Sequence, residues 1–224
     1  RGGCAINCRY CFRRHFPYQE NTLTARDIDG LVSYLKAHPE VNEVILSGGD
    51  PLMADDQALS GLFVRLESVS SIHRLRIHTR LPIVIPERVT DLLCQAIAAT
   101  ALPVVMVLHS NHANEIDQSV MDAVSQLRVV CRSVLNQSVI LKGINDSADV
   151  LIALSERLFE AGIDPYYLNV LDRVSGAHHF DVSDLEVAAL HQALLNALPG
   201  YLVPKLVREV PGIGHKVQWK GTTH

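Results

Sequence analysis

The chain has 224 residues, 48% of them hydrophobic and 20% charged, and carries a formal net charge of −4. A chain of that length buries about 70–75% of its unfolded surface, and the figures together describe an ordinary soluble, single-core protein. The mild acidity gives no reason to expect nucleic acid, and no run is both long and uncharged enough to span a bilayer.

Taken in order, the chain opens on Arg1-Gly2-Gly3 without a methionine, directly ahead of a cysteine-bearing loop, so it is expected to be a fragment whose upstream segment is missing. The loop is Cys4-Ala5-Ile6-Asn7-Cys8-Arg9-Tyr10-Cys11, a C-x3-C-x2-C spacing with an aromatic before the third cysteine. A 4Fe–4S cluster has four iron corners held by thiolates. Three closely spaced ligands fill three corners and leave one iron open to chelate a small molecule. In this the loop resembles the radical S-adenosylmethionine (SAM) superfamily, whose free iron binds SAM through its amino and carboxylate groups and whose reduced cluster releases a 5′-deoxyadenosyl radical. The rival readings are weaker. Structural zinc wants four closed ligands, and His15 is the only nearby fourth candidate. A disulfide would strand an odd thiol and need an oxidising compartment. Cys94 and Cys131 lie in apolar surroundings and read as small core residues. Five cysteines, three of them in this motif, point to a reducing cytoplasm, and no signal peptide is visible.

Beyond the loop, Thr24 is expected to N-cap a helix to about His38, with Asp27 supplying the carboxylate three residues on. Val41 to Leu46 reads as a buried strand running into the turn Ser47-Gly48-Gly49-Asp50-Pro51. A helix over 55–69 follows, then a strand over 74–79, the stretch Leu81-Pro82-Ile83-Val84-Ile85-Pro86, and a helix over 87–99. The second half repeats the scheme. A strand over 104–108 leads through the loop His109 to Glu115 into a helix ending near Leu127. A strand over 133–141, a turn at 143–146 and a helix over 148–161 closed by Gly162 come next. A strand over 166–171, a Gly- and His-rich loop to Phe180, a helix over 185–198 and an extended piece over 201–208 precede a glycine-containing tail.

Strands alternating with helices at this spacing predict parallel βαβ units. About six repeats suit an α/β fold with a partial (βα)6 TIM-like barrel of the radical SAM type, here a single core domain over 1–224 with 201–224 as a C-terminal segment. In such folds chemistry collects where strands end. The strand ends carry Ser47-Gly48-Gly49-Asp50, Thr79-Arg80, His109, Gln137 and Asp172. Each alone reads as well as a satisfied turn or cap residue, but their recurrence at strand C-termini favours a site.

The motifs Cys11-Phe12-Arg13-Arg14, Leu46-Ser47-Gly48-Gly49-Asp50-Pro51-Leu52, Arg76-Ile77-His78-Thr79-Arg80, Asn111-His112-Ala113-Asn114-Glu115, Leu135-Asn136-Gln137-Ser138-Val139 and Lys142-Gly143-Ile144-Asn145-Asp146 run in order along nearly the whole chain. Together they resemble the lysine 2,3-aminomutases. Arg13-Arg14-His15-Phe16-Pro17-Tyr18 and Tyr201-Leu202-Val203-Pro204-Lys205-Leu206 resemble the branch that makes (R)-β-lysine for modifying elongation factor P.

This resemblance implies a 4Fe–4S cluster on Cys4, Cys8 and Cys11, with Tyr10 near the cluster or the adenine of SAM. Gly48 and Gly49 resemble the turn that meets the SAM amino group, where missing side chains permit close approach. His109 and Gln137 match positions that face SAM, and Arg80 is a further candidate for that pocket. The family also uses pyridoxal 5′-phosphate (PLP) on a lysine Schiff base. Lys216, in Pro211-Gly212-Ile213-Gly214-His215-Lys216, matches that lysine, with Lys205, Lys142 and Lys220 as competitors. Arg13 matches the guanidinium that clamps the substrate carboxylate, and Asp172 and Glu209 match the acids that hold the side-chain ammonium. Two positions depart from the free-lysine enzymes: Glu209 replaces an aspartate, and Asn169 stands where they place a tyrosine near PLP. The implied activity is that of an isomerase, a 1,2-amino shift turning L-α-lysine into (R)-β-lysine with SAM regenerated and an external one-electron reductant. The oligomeric state, a homo-oligomer included, is left open.

Three alternatives stand beside this reading. An aminomutase for glutamate or another amino acid is disfavoured by the acidic pair Asp172 and Glu209, which would repel a second carboxylate. A radical SAM enzyme without PLP would be indifferent to loss of Lys216. A non-catalytic zinc or iron–sulfur binding module would show in the metal content.

Overall fold

Five helices begin on the residue types that satisfy a helix's orphan N–H groups. Thr24 caps α1 (Ala25–Ala37) in a full capping box with Asp27, Asp55 caps α2 (Asp56–Glu67), and Thr90 caps α4 (Asp91–Ala99). Ser147 caps α6 (Ala148–Glu160), and Ser183 caps α7 (Asp184–Ala197) in a second box with Glu186. A single helical turn, α3 (Leu81–Val84), and α5 (Gln118–Val130) complete the set. The strands are β1 (Glu43–Leu46), β2 (Arg74–Thr79), β3 (Val104–Leu108), β4 (Ser133–Val139), β5 (Asp164–Asn169), β6 (Lys205–Arg208) and β7 (Val217–Gln218). The computed structural model describes residues 3–11, 13, 24–210 and 212–219.

The chain divides into two compact units, Arg1–Ile6, Phe16–Leu108 and Asp122–Val134 in the first, and Asn7–His15, His109–Met121 and Leu135–His224 in the second. In the first, β1, β2 and β3 are parallel and adjacent in that order. Leu75 and Ile77 of β2, Met106 and Leu108 of β3, Phe63 and Leu66 of α2 and Leu93 and Ile97 of α4 are fully buried there. Arg88 fastens the loops between them. Its guanidinium donates to Leu52 O at 2.6 Å and Ala54 O at 2.8 Å and pairs with Asp56 at 2.6 Å.

In the second unit β4, β5 and β6 are parallel, and β7 returns antiparallel against β6. A register shift opposite Asn136 and Gln137 leaves Tyr166 as an extra residue of β5, a bulge of the kind that re-aims neighbouring side chains. The core is aliphatic: Leu168 and Leu206 from the strands, with Ile140 and Val170 just past the ends of β4 and β5, meet Leu151, Val187, Leu194 and Leu202, with Trp219 packed on its edge.

Several boundaries move from those expected. The stretch after β2 is helical, and the next helix begins at Asp91 rather than Glu87, because Pro86–Arg88 form a 3-10 turn and Thr90 accepts from Leu93 N at 3.0 Å. β4 ends at Val139 rather than Leu141 because Asn145 takes over the backbone groups. Its Oδ1 accepts from Leu141 N at 2.7 Å and its Nδ2 donates to Val139 O at 2.9 Å. β5 lies two residues earlier than expected. The glycine-containing tail, for which no element was expected, forms β7.

Candidate functional site

In the first unit the turn after β1 is built by glycines and one carboxylate. Gly48 has φ +122°, a left-handed backbone that costs glycine nothing. A Cβ on Gly49 would lie 2.3 Å from Gly3 O, so only glycine lets the turn meet the segment that leads into Cys4. Asp50 N donates to that same Gly3 carbonyl at 2.9 Å. The buried Asp50 carboxylate accepts from Leu52 N, Thr79 Oγ1, Arg80 N and Leu81 N at 2.6–3.2 Å, tying the glycine turn to the end of β2. Sequence reasoning placed Asp50 at a strand end without a distinct role. Its preference for local backbone N–H groups is the signal that points to this one.

In the second unit Cys11 N donates to Cys8 O at 3.1 Å, closing a turn around Arg9 and Tyr10. Tyr10 packs against Leu141, Leu171 and Phe180, and its hydroxyl accepts from Asn111 Nδ2 at 2.7 Å. Asn111 Oδ1 accepts from Val139 N at 2.8 Å, and Asn145 Nδ2 donates to Asn111 O at 2.9 Å. Arg9 reaches His179 Nε2 at 3.3 Å and lies over the Phe180 ring at 5.3 Å. Asn111, itself held by Asn145, thus ties the cysteine turn to the end of β4, a role that spacing alone did not reveal. His109 and Gln137, expected on one ligand, come together with Gln137 Nε2 2.8 Å from His109 Nε2.

At the ends of β5 and β6 lies a second group. Lys216 Nζ donates to Asn169 Oδ1 at 2.7 Å, pairs with Glu209 at 3.3 Å and stands 5.4 Å from the centre of the Tyr167 ring. Asn169 Nδ2 donates to Ser138 O at 2.9 Å, which fixes its oxygen toward the lysine. Burial raises Asp172 above the usual carboxylate range. The nearby Glu209 charge adds to this, and Lys216 partly offsets it. Lys216, expected as the cofactor lysine, and Asp172 and Glu209, expected together on the substrate ammonium, therefore share one locality. The competing Lys142 and Lys205 are exposed, and Lys220 lies outside the described residues.

Among the described residues no three Cys, His, Asp or Glu side chains are gathered as a metal-holding group. Whether the chain suits an iron–sulfur cluster is decided by the chemistry of its donors. Cys4 is exposed, and Cys8 and Cys11 are half-buried on irregular backbone. Burial pushes the Cys131 thiol up to about 12 and raises Cys94, so both are poor thiolate donors. The three loop thiols fit the cluster as soft ligands of the kind iron favours. His15, the fourth ligand of the zinc reading, lies outside the described residues, as do Arg14 and 16–18 of the motif tied to elongation factor P. Arg13 is half-buried in the second unit. Arg80 is half-buried in the first, with its backbone N–H held by Asp50. Lys216 fits a carbonyl cofactor, its amine being fixed on folded backbone with its side chain 24% exposed.

Among known protein families, the Radical SAM superfamily matches residues 2–186. The chain is 53% identical over 216 residues to an L-lysine 2,3-aminomutase of Haemophilus influenzae, covering 96% of this chain and 64% of that protein. It is also 53% identical over 212 residues to an L-lysine 2,3-aminomutase of Escherichia coli, covering 95% and 62%. The chain thus spans just under two thirds of the length of these relatives. Among solved structures, Streptococcus suis SuiB bound to S-adenosylmethionine superposes with a TM-score of 0.65 at 17% identity, over 93% of this chain and 48% of that one. The fold class expected from the sequence, a partial TIM-like α/β barrel of the radical SAM type, agrees with this likeness taken together with the family match.

Proposed function

The chain belongs to the radical SAM superfamily, and on that premise we propose that it is the core of an L-lysine 2,3-aminomutase, an isomerase that makes (R)-β-lysine for modifying elongation factor P. The observation that carries the proposal is the meeting of Lys216 with Asn169 at 2.7 Å and Glu209 at 3.3 Å, with Asp172 close enough to feel both charges. A lysine amine beside two acids is what a PLP enzyme acting on a second lysine needs. The identity to curated L-lysine 2,3-aminomutases supports the same substrate.

Cys4, Cys8 and Cys11 would hold the 4Fe–4S cluster, and Gly48, Gly49, Tyr10, His109 and Gln137 would receive SAM. When bound, the cluster and SAM would supply one-electron radical chemistry, and PLP would supply an electrophilic carbonyl for the substrate amine. The chain's own residues bind and orient. Arg13 offers a planar fork to the substrate carboxylate. Asp172 and Glu209 hold the ammonium at the other end. An arriving ammonium meets the demand for positive charge that Asp172's raised pKa expresses. Lys216 Nζ must shed its proton before it attacks a carbonyl. Glu209, 3.3 Å from Lys216 Nζ, would be shared between that amine and the substrate ammonium. The same two acids make a glutamate substrate unfavourable.

The test incubates anaerobically reconstituted full-length protein with SAM, PLP, a reductant and L-lysine. β-Lysine is the expected product, and a Lys216→Ala variant should lose at least a hundredfold in turnover. Unchanged turnover and PLP absorbance in that variant would favour a PLP-independent enzyme. Zinc without iron in the native protein would favour a binding module.

A further inference from the structure

The tail after Lys216 has no readable pattern in the sequence, yet it is where the structure invests its single tryptophan. β7 has only two residues, paired as Val207 with Gln218 and Arg208 with Val217. A ladder that short does not hold a tail in register by itself. Three further contacts act on it. Trp219 N donates to Leu206 O at 2.9 Å, extending the pairing by one step. The Trp219 ring packs on the aliphatic core of the second unit. Arg208 lies over that ring, with its Cζ 5.1 Å from the centroid, while its two terminal nitrogens bond the Asp184 carboxylate at 2.5 and 3.3 Å. Asp184 is the first residue of α7, so one guanidinium clasps β6, α7 and the tail together.

The consequence falls on Lys216. With Arg208 opposite Val217, the next antiparallel step sets Glu209 beside Lys216, as the 3.3 Å pair bears out. A slip of one residue would turn the lysine to the opposite face of the ribbon. We propose that Trp219, clasped by Arg208, is the positioning residue that sets the register of the tail and thereby aims the Lys216 amine at its cofactor. This rests on the reading of Lys216 as the Schiff-base lysine. The buried indole N–H has no hydrogen-bond acceptor among the described residues. The ring therefore acts by shape, stacking and its apolar face, all of which phenylalanine supplies.

The test reads PLP attachment rather than turnover. Full-length anaerobic protein is incubated with limiting PLP and reduced with borohydride, and the pyridoxyl label is located by peptide mass spectrometry. Iron per chain and the melting temperature are measured on the same samples. In the unsubstituted protein the label should sit on Lys216. Trp219→Ala and Arg208→Gln should each lower the label there by about tenfold or more and scatter the remainder over other lysines. Trp219→Phe should label Lys216 within about twofold of the parent, and iron content should hold throughout. Parent-like labelling in Trp219→Ala would overturn the proposal while leaving the role of Lys216 intact. Label absent from Lys216 in the parent would overturn that role and the proposal with it. Should Trp219→Ala fail to fold, Arg208→Gln and Trp219→Phe decide, since parent-like labelling in the first or lost labelling in the second contradicts the anchor.

Discussion

Among the described residues, Asp172 is a carboxylate whose surroundings oppose its charge. Burial and the neighbouring Glu209 hold its carboxyl above the ordinary range, and Lys216 relieves the strain only in part. The folded chain therefore binds more protons than the unfolded chain between the unfolded value of about 3.9 and the raised folded one. Asp172's contribution to stability is fully present below the unfolded value and is lost as pH rises through the folded value. An Asp172→Asn variant has no such loss. Melting curves from pH 3 to 8 should show the parent falling behind the variant as pH rises, whereas parallel curves would refute the assignment. The same variant should bind lysine at least tenfold more weakly. Stability gained where binding is lost is the exchange expected of a charge kept for function.

Elements differ in how plainly they announce themselves. Thr24 with Asp27 and Ser183 with Glu186 carry both halves of a capping box, so α1 and α7 begin within a residue or so of where the sequence puts them. Nothing local could foresee β7, because two residues carry no period and the strand exists through Trp219 and Arg208. The site divides along the same line. The cysteine spacing speaks for itself, whereas the meeting of Lys216 with Glu209 depends on the β6–β7 pairing and was approached only through family resemblance. That Gly49 presses on Gly3 was equally hidden, since a glycine in a turn does not name what approaches it. The clasp on β7 should be sensitive to acid. Hydrogen bonds from Arg208 hold Asp184 below the usual carboxylate range. That stabilisation is present above the unfolded value of about 3.9 and is lost as pH falls through the lowered folded value. Amide exchange at Val217 and Trp219 should accelerate in that acid window before the rest of the second unit. Arg208→Gln should exchange fast at every pH, and parent-like protection in that variant would count against the clasp.

Over the whole molecule, what maintains the fold is separate from what serves the chemistry. The buried residues of both units are overwhelmingly aliphatic. Cys4, Cys8 and Cys11 are exposed or half-buried outside them, and among the described residues no helix is long and apolar enough to cross a membrane. Loss of a cluster should therefore strip the cysteine loop of its ligand without melting either core, unlike small domains whose metal supplies the folding energy. The five thiols provide the measurement. At pH 8 a thiol with a pKa of about 12 is thiolate in roughly one part in ten thousand, and Cys131 is buried as well. Iodoacetamide added to iron-free protein should modify Cys4, Cys8 and Cys11 within minutes. Cys94 should react slowly, and Cys131 should wait on global unfolding, at least about a thousandfold later. Iron-loaded protein should protect the first three together and leave the other two unchanged. Protection of only one or two loop cysteines would mean that the loop does not act as a three-thiolate ligand, and early reaction at Cys131 would mean that the core opens without its cluster.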